Sequence, residues 1–102
     1  MSVYLIVHTR INNTDGYQEY REKVPVIVKK YGGEYLARGG QLEVIEGDWN
    51  PDRIVLIRFP TAAAARDFFN DPDYQPLKQL RHRNAISQIV MVEGLDRRDD
   101  QP

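Results

Sequence analysis

Apolar residues follow two different periods along the chain. Four stretches, residues 3–10, 34–38, 53–59 and 86–93, concentrate or alternate large apolar and β-branched side chains, which is typical of β-strands. Between the first two stretches, apolar residues recur at spacings of three and four, which predicts one face of a helix. That face comprises Tyr17, Tyr20, Val24, Ile27, Val28 and Tyr31.

Glycine and proline mark the ends of these elements. Gly32-Gly33 ends the first helix, and Pro25 inside it predicts a kink or a missing hydrogen bond within one continuous helix. Thr61 is the expected N-cap of a second helix that stops at Asn70-Asp71-Pro72, and residues 73–84 predict a further short helix.

The segment between the second and third strands carries a separate prediction. Gly39-Gly40 should bend or bulge the chain, and residues 41–46 should resume an extended conformation. A loop with Trp49, the single tryptophan, then leads into the third strand.

The order strand, helix, strand, strand, helix, strand predicts an α+β, ferredoxin-like βαββαβ fold. Its four-stranded antiparallel sheet would carry helices on one face. Strict alternation directs one set toward the helices: Val3, Leu5, Val7, Tyr35, Ala37, Val55, Ile57 and Phe59. The opposite set is also apolar: Tyr4, Ile6, Leu36, Ile54 and Leu56. Because exposed apolar patches mark interfaces, we expect a second copy to cover this face and form a dimeric α/β barrel.

Composition narrows the class of protein. With 102 residues we expect one domain, residues 1–95, followed by a flexible charged tail, residues 96–102. A net charge of −1 gives no reason to expect nucleic acid or an anionic membrane as partner. Cysteine is absent, and the N-terminal apolar run is too short to span a membrane and lacks a basic leader. Cytoplasmic location is therefore expected.

Four segments together resemble a known family: residues 33–40, 46–53, 58–60 and 71–75. They are similar to an uncharacterised bacterial family, domain of unknown function thirteen-thirty, over about residues 3–95. That family lies in the dimeric α/β-barrel superfamily, beside cofactor-free antibiotic-type monooxygenases and muconolactone isomerases. The resemblance implies the fold and a homodimer, and it implies no reaction.

His8 and Arg38 are the sharpest candidates for catalysis. Alternation places both on the face that would line the barrel, near strand ends. A histidine can act as acid or base near neutral pH, and an arginine can hold a carboxylate or enolate. The alternative is a buried polar pair satisfied by backbone groups or by the partner subunit.

Other residues are candidates for substrate binding. Arg58 shares the face of His8 and needs neutralisation by Glu34, by Glu93 or by a bound anion. Trp49 either forms a stacking wall at the barrel mouth or packs on the domain edge or the partner.

Two tyrosines complete the candidate set. Tyr17, near the start of the first helix, is the tyrosine expected to turn its hydroxyl to the cavity. Tyr74 and Arg81 would close the cavity, although the cluster Arg81-His82-Arg83 also fits a solvated helix face.

Several chemistries lack a motif. No metal-ligand spacing, glycine-rich phosphate loop or Ser-His-Asp set is present, so no metal and no cofactor is expected.

Three hypotheses for the function remain. The first is a homodimer with a small aromatic or acidic molecule in its cavity, performing cofactor-free oxygenation or isomerisation by analogy of fold. The second is a binding or sensing module without turnover. The third is a structural dimerisation module with a packed interior.

Overall fold

The computed structural model describes residues 1–95; the predicted tail, residues 96–102, lies outside them. Seven elements follow one another: β1 (Val3–Ile11), α1 (Thr14–Lys30), β2 (Glu34–Arg38), β3 (Ile54–Phe59), α2 (Ala62–Asn70), α3 (Tyr74–Asn84) and β4 (Ala85–Glu93). The strands form one antiparallel sheet in the order β2-β3-β1-β4. The predicted ferredoxin-like α+β fold is confirmed, and the late helical segment is α3.

One face of the sheet lies under the helices, and we call it the covered face. Leu5, Ile57 and Phe59 point from it into a core completed by Val28 and Phe68 from the helices. Each fully buried side chain of this size contributes about 1.5–3 kcal/mol through the hydrophobic effect. The opposite side, the open face, carries Tyr4, Ile6, His8, Ile54, Leu56, Arg58, Ile86, Val90 and Val92 at alternating register positions.

Helix α1 is continuous through its proline, as predicted. Asn13 caps it by accepting a hydrogen bond from the Gly16 amide at 3.1 Å. Pro25 has no N–H, so the carbonyl four residues earlier, that of Arg21, lacks its usual donor within the helix. The Arg21 carbonyl oxygen can therefore accept a hydrogen bond from a group outside the helix.

A β-bulge in β2 overturns part of the predicted alternation. Tyr35 pairs with Ile57, but Ala37 pairs with Leu56, so Leu36 is one residue too many on its strand. Every side chain after the bulge changes face. Ala37 therefore lies on the open face and Arg38 on the covered face. The predicted faces of these two residues were wrong, because the bulge lies at Leu36, before the irregularity predicted at Gly39-Gly40.

Residues 40–52 connect β2 to β3, and we call this segment the arm. It contains neither helix nor strand, so the extended run predicted for residues 41–46 pairs with no strand of the described part of the chain. Gly39 at its root adopts φ +70°, and a Cβ there would collide with the Arg53 guanidinium. Glycine thus lets the two ends of the arm meet.

A buried carboxylate joins the helices to one another. Asp71 Oδ2 accepts hydrogen bonds from Lys30 Nζ at 2.8 Å and from the Tyr31 hydroxyl, and its Oδ1 accepts from the Asp73 amide at 2.7 Å. The bonds from Lys30 and Tyr31 lower the pKa of Asp71 to about 2. Asp71 therefore stays ionised at neutral pH and connects α1 to the turn between α2 and α3.

No helix within residues 1–95 has both the length and the apolar character that crossing a membrane requires.

Candidate functional site

A cavity of about 40 Å³ lies between the helices and the covered face of the sheet. Its floor is apolar, from Leu5, Val7, Val55 and Ile57. Its polar lining consists of tyrosines and arginines only: Tyr17, Tyr20, Tyr35, Tyr74, Arg21, Arg38, Arg53 and Arg81.

Helical periodicity positions five of these eight polar side chains. Tyr17 and Arg21 are four residues apart on α1, and Tyr20 lies beside them on the same face. Tyr74 and Arg81 are seven residues apart on α3, two turns along one face. The two helices thus present phenols and guanidinium groups to one space.

The remaining three polar residues lie on the strands or beside them: Tyr35 and Arg38 belong to β2, and Arg53 directly precedes β3. The bulge in β2 turns Arg38 toward the covered face, opposite Val55 in the pairing with β3. Arg53 stands between the arm and β3, and its guanidinium occupies the space that Gly39 leaves. The cavity is therefore bounded at one end by the root of the arm.

The positive charge of this cavity has no carboxylate beside it among residues 1–95, since its lining contains no Asp or Glu. Within the same described residues, the buried Nε atoms of Arg21, Arg53 and Arg81 have no hydrogen-bond partner. Arg81 is only 5% exposed, and its charge lies 5.9 Å from the centre of the Tyr20 ring. Buried charge without a counterion is costly, so the arrangement favours an anion.

The free carbonyl in α1 has a partner in this cavity. Arg38 Nη2 donates a hydrogen bond to the Arg21 carbonyl oxygen, the group that Pro25 leaves without a helical donor. The Arg38 guanidinium also lies 4.8 Å from the centre of the Tyr35 ring. Pro25 therefore acts through Arg21 to position Arg38 at the exposed end of the cavity.

Three of the four phenols in the cavity have a raised pKa and stay protonated at neutral pH. Burial raises the pKa of Tyr35 to about 12 and raises those of Tyr17 and Tyr20 as well. The hydroxyls of Tyr20 and Tyr74 are 3.0 Å apart, and either can donate to the other. Burial, together with the nearby charges of Arg21 and Arg38, lowers the pKa of Arg53.

The structure separates the predicted site residues into two groups. Tyr17, Arg38 and Tyr74 line the cavity, whereas Trp49 and Arg58 do not. His8 pairs with Ile54 on the open face, and Arg38 lies on the covered face. The prediction that His8 and Arg38 share a face was wrong, because it assumed unbroken alternation in β2.

His8 instead contacts the arm. Its Nε2 accepts a hydrogen bond from the Asp52 amide at 3.2 Å, and Asp52 Oδ2 lies 3.7 Å from the same nitrogen. The Trp49 ring meets the imidazole edge-on, with centroids 5.8 Å apart. Both contacts hold the arm against the end of the open face.

Arg58 has one of its predicted partners. Its Nη1 lies 3.5 Å from Glu34 Oε1, across the pairing of β2 with β3 on the open face. Because both side chains are largely exposed, the pair contributes little to stability.

Sequence reasoning missed part of the cationic lining. Arg53 precedes the third strand and Arg21 is not among the apolar positions of the first helix, so neither is in the predicted candidate set. Of the two interpretations of Arg81-His82-Arg83, the solvated helix face holds for His82 and Arg83, whereas Arg81 is buried and lines the cavity. The available signal was spacing, because Tyr74, Leu77 and Arg81 recur at three and four.

No group of three or more His, Cys, Asp or Glu side chains within residues 1–95 is arranged to hold a metal ion.

Fold and cavity together define a ferredoxin-like α+β domain with an arginine- and tyrosine-lined cavity between helices and sheet. The chain belongs to the family described as "Domain of unknown function (DUF1330)", whose model matches residues 2–95. No curated protein matches the chain in sequence.

Solved structures share the fold at low identity. A protein of unknown function from Rhodopseudomonas palustris superposes with a TM-score of 0.77 at 17% identity, over 93% of this chain and 83% of that one. A dimeric ferredoxin-like protein of unknown function from Jannaschia sp. CCS1 gives 0.75 at 14% identity, over 92% and 100%. SnoaB, a cofactor-independent oxygenase from Streptomyces nogalater, gives 0.66 at 9% identity, over 91% and 92%.

Proposed function

We propose that the protein is a homodimer that binds a small organic acid in the cavity of each subunit. One observation carries the proposal: four arginines converge on a partly enclosed space whose lining, within residues 1–95, has no carboxylate. Arginine binds carboxylates through paired hydrogen bonds, and the donors of Arg53 and Arg81 are already buried there.

The size of the cavity limits which part of the acid it can enclose. A volume of about 40 Å³ is far below the roughly 300–1,000 Å³ of sites that enclose a drug-sized ligand. It accommodates a few water molecules, and therefore a carboxylate head group. The body of the ligand then lies at the exposed end, against the Tyr35 ring and the Arg38 guanidinium, which suits a flat or aromatic acid.

The homodimer follows from the open face. Ile86 and Val90 are 60% and 59% exposed there, in a patch that continues through Ile6 and Leu56. Contiguous apolar surface of this kind marks an interface. Structural relatives described as dimeric share the fold, and a twofold pairing of sheets gives the predicted barrel. We place this dimer in the bacterial cytoplasm.

A ligand titration tests the cavity. Benzoate should raise the Tm of the purified protein, and benzyl alcohol, its neutral counterpart, should not. At one hundred times the dissociation constant, linkage gives about 2.7 kcal/mol of stabilisation.

Two substitutions in α3 form the matched pair for this titration. Arg81→Met removes the buried charge with little change in volume and should abolish the benzoate shift. Arg83→Met, on the exposed side of the same helix, should retain it. Equal shifts in both variants, or equal shifts with benzyl alcohol, would contradict an anion site at Arg81.

Turnover is the second candidate function, favoured by arginines beside protonated phenols, a lining that can stabilise an enolate. An acidic methylene compound would lose a proton to solvent water at the exposed end of the cavity, and its carbanion would attack dioxygen. The methylene carbon would become a carbonyl, and the second oxygen atom would leave as water with both hydrogens. Isomerisation would stop at the enolate and return the proton to another carbon.

An oxygen electrode distinguishes turnover from binding alone. With 1,3-indandione as probe, an oxygenase should consume one dioxygen per methylene oxidised, and the Arg81→Met variant should not. Absence of both oxygen uptake and accelerated hydrogen–deuterium exchange at the methylene would leave the binding protein as the function.

A further inference from the structure

The two edges of the sheet are protected very differently. Strand β2 has five residues, begins with Glu34, ends with Arg38 and contains a bulge, all features that discourage pairing with another chain. Strand β4 has nine residues, and none from Ala85 to Val92 is charged. Among the described residues β4 pairs with β1 only, so its outer edge is long, uncharged and without a neighbouring strand.

The middle of the arm is a second apolar surface that the other described residues leave exposed. Ile45 is 86% exposed, and Leu42 and Val44 are exposed beside it. With Trp49 and Ile54 they line an open groove of about 370 Å³. Because Ile54 belongs to the open face and Trp49 rests on His8, the groove is continuous with the proposed dimer interface.

Charge complementarity links the arm to the start of β4. Residues 40–52 contain four acidic residues, Glu43, Glu46, Asp48 and Asp52, and no basic one. The exposed start of β4 is flanked by the cations Arg10, opposite Ile86 in the pairing, and Arg83, at the end of α3. Both cations are exposed.

Strand order decides which copy of β4 the arm can cover. The arm joins β2 to β3, and β1 lies between β3 and β4. The amide of Thr9 donates to the Arg53 carbonyl, so the root of the arm and the start of β4 lie at the same end of the sheet. A twofold axis parallel to the strands would stack the β2 side of one sheet on the β4 side of the other, with ends aligned.

We infer that the arm of one subunit lies over the start of β4 of a second copy of this chain. Ile86 of that copy would enter the groove, and the acidic arm side chains would face Arg10 and Arg83. Twofold symmetry makes two such contacts and leaves no open surface for further copies. The inference rests on the proposed homodimer.

Cross-linking tests this contact directly, because the chain has no cysteine of its own. The double variant Ile45→Cys/Ile86→Cys, treated with a short bismaleimide, should run as a covalent dimer on a denaturing gel. The matched control Ile45→Cys/Val26→Cys carries its second thiol on the exposed side of α1 and should run as a monomer. Each single variant should also run as a monomer on the denaturing gel.

Sedimentation of the same samples separates the two proposals. A dimer in which Ile45→Cys/Ile86→Cys fails to cross-link between subunits would overturn the arm contact and leave the homodimer intact. Efficient cross-linking by Ile45→Cys alone would mean that arms meet arms and would also overturn it. A monomer at every concentration would overturn both.

Discussion

The covered and open faces of the sheet invert the usual distribution of polar and apolar groups. The covered face, inside the molecule, holds guanidinium groups with unpartnered donors in a small cavity. The open face, outside, exposes Ile86, Val90 and Val92. Buried charge and exposed apolar surface both cost free energy in an isolated subunit. We propose that each face is completed by another molecule: the covered face by an anion, the open face by a second copy.

A single residue of β2 decides on which face of the sheet Arg38 lies. Leu36 is the extra residue of the β2 bulge, and it moves Arg38 from the open face to the cavity. Bulges of this kind redirect side chains near functional sites. On the open face Arg58 pairs with Glu34, whereas the arginines of the covered face have no carboxylate beside them among residues 1–95.

The largest expected effect is on the open face. Ile6 lies between Leu56 and Val90, and Ile6→Lys would bury a charge at the proposed interface. We expect the dimer dissociation constant to rise at least about 100-fold, because an unpaired buried charge costs several kcal/mol. Analytical ultracentrifugation measures it. The matched control, Val26→Lys on exposed α1, should leave the dimer unchanged; equal effects would place the interface elsewhere.

Acid should weaken the helix layer above the covered face. The pKa of Asp71 is about 2 in the folded state, below the usual value of 3.8, so its contribution is present above pH 4 and is lost toward pH 2. Asp71→Asn should therefore lower the Tm at pH 7 by at least about 4 °C, a clear loss for a domain of this size.

The difference between the wild type and Asp71→Asn should narrow as the pH falls from 4 to 2. Thermal unfolding followed by circular dichroism gives both curves, and Asp67→Asn on exposed α2 is the control. Parallel curves across that range would contradict the role of the Asp71 carboxylate.

Pro25→Ala should move stability and binding in opposite directions. An alanine N–H restores the helical bond to the Arg21 carbonyl, so the free energy of unfolding should rise by about 1–2 kcal/mol. Arg38 then loses its acceptor, and benzoate affinity should fall about threefold to tenfold.

Denaturant unfolding and calorimetric titration measure these two quantities. Pro76→Ala is the matched control, since Pro76 lies in the first turn of α3, where no helical bond is missing. A Pro25→Ala variant that binds benzoate as well as the wild type would mean that Arg38 needs no such anchor.

The smallest expected effect is that of His8→Ala on the cavity. His8 faces away from it, so benzoate affinity should change less than about twofold, while the fluorescence of Trp49 should change as its imidazole contact disappears. A tenfold loss of affinity would connect the two faces and restore His8 to the binding site.

Periodicity was sufficient for the fold because its elements are strongly patterned. The spacing of Tyr17, Val24 and Val28 defines the buried face of α1, and Leu5, Ile57 and Phe59 define the covered face of the sheet. Pro25 was correctly assigned to the interior of one helix. All of these features depend on the local pattern of apolar and polar residues, and one amino-acid sequence is enough to show that pattern.

The candidate site was less predictable because it depends on contacts between distant segments. No local signal places the bulge at Leu36 instead of at the glycines that follow. Arg53 belongs to the cavity only because Gly39 leaves room for it. The partner of the Arg21 carbonyl, Arg38, is 17 residues away along the chain.

A crystal structure of the protein with benzoate tests the central claim most directly. We predict a carboxylate within hydrogen-bonding distance of Arg53 and Arg81 on the covered face, in a dimer whose open faces meet. A carboxylate beside His8 or Arg58 on the open face, with the arginine cavity filled only by water, would contradict the account.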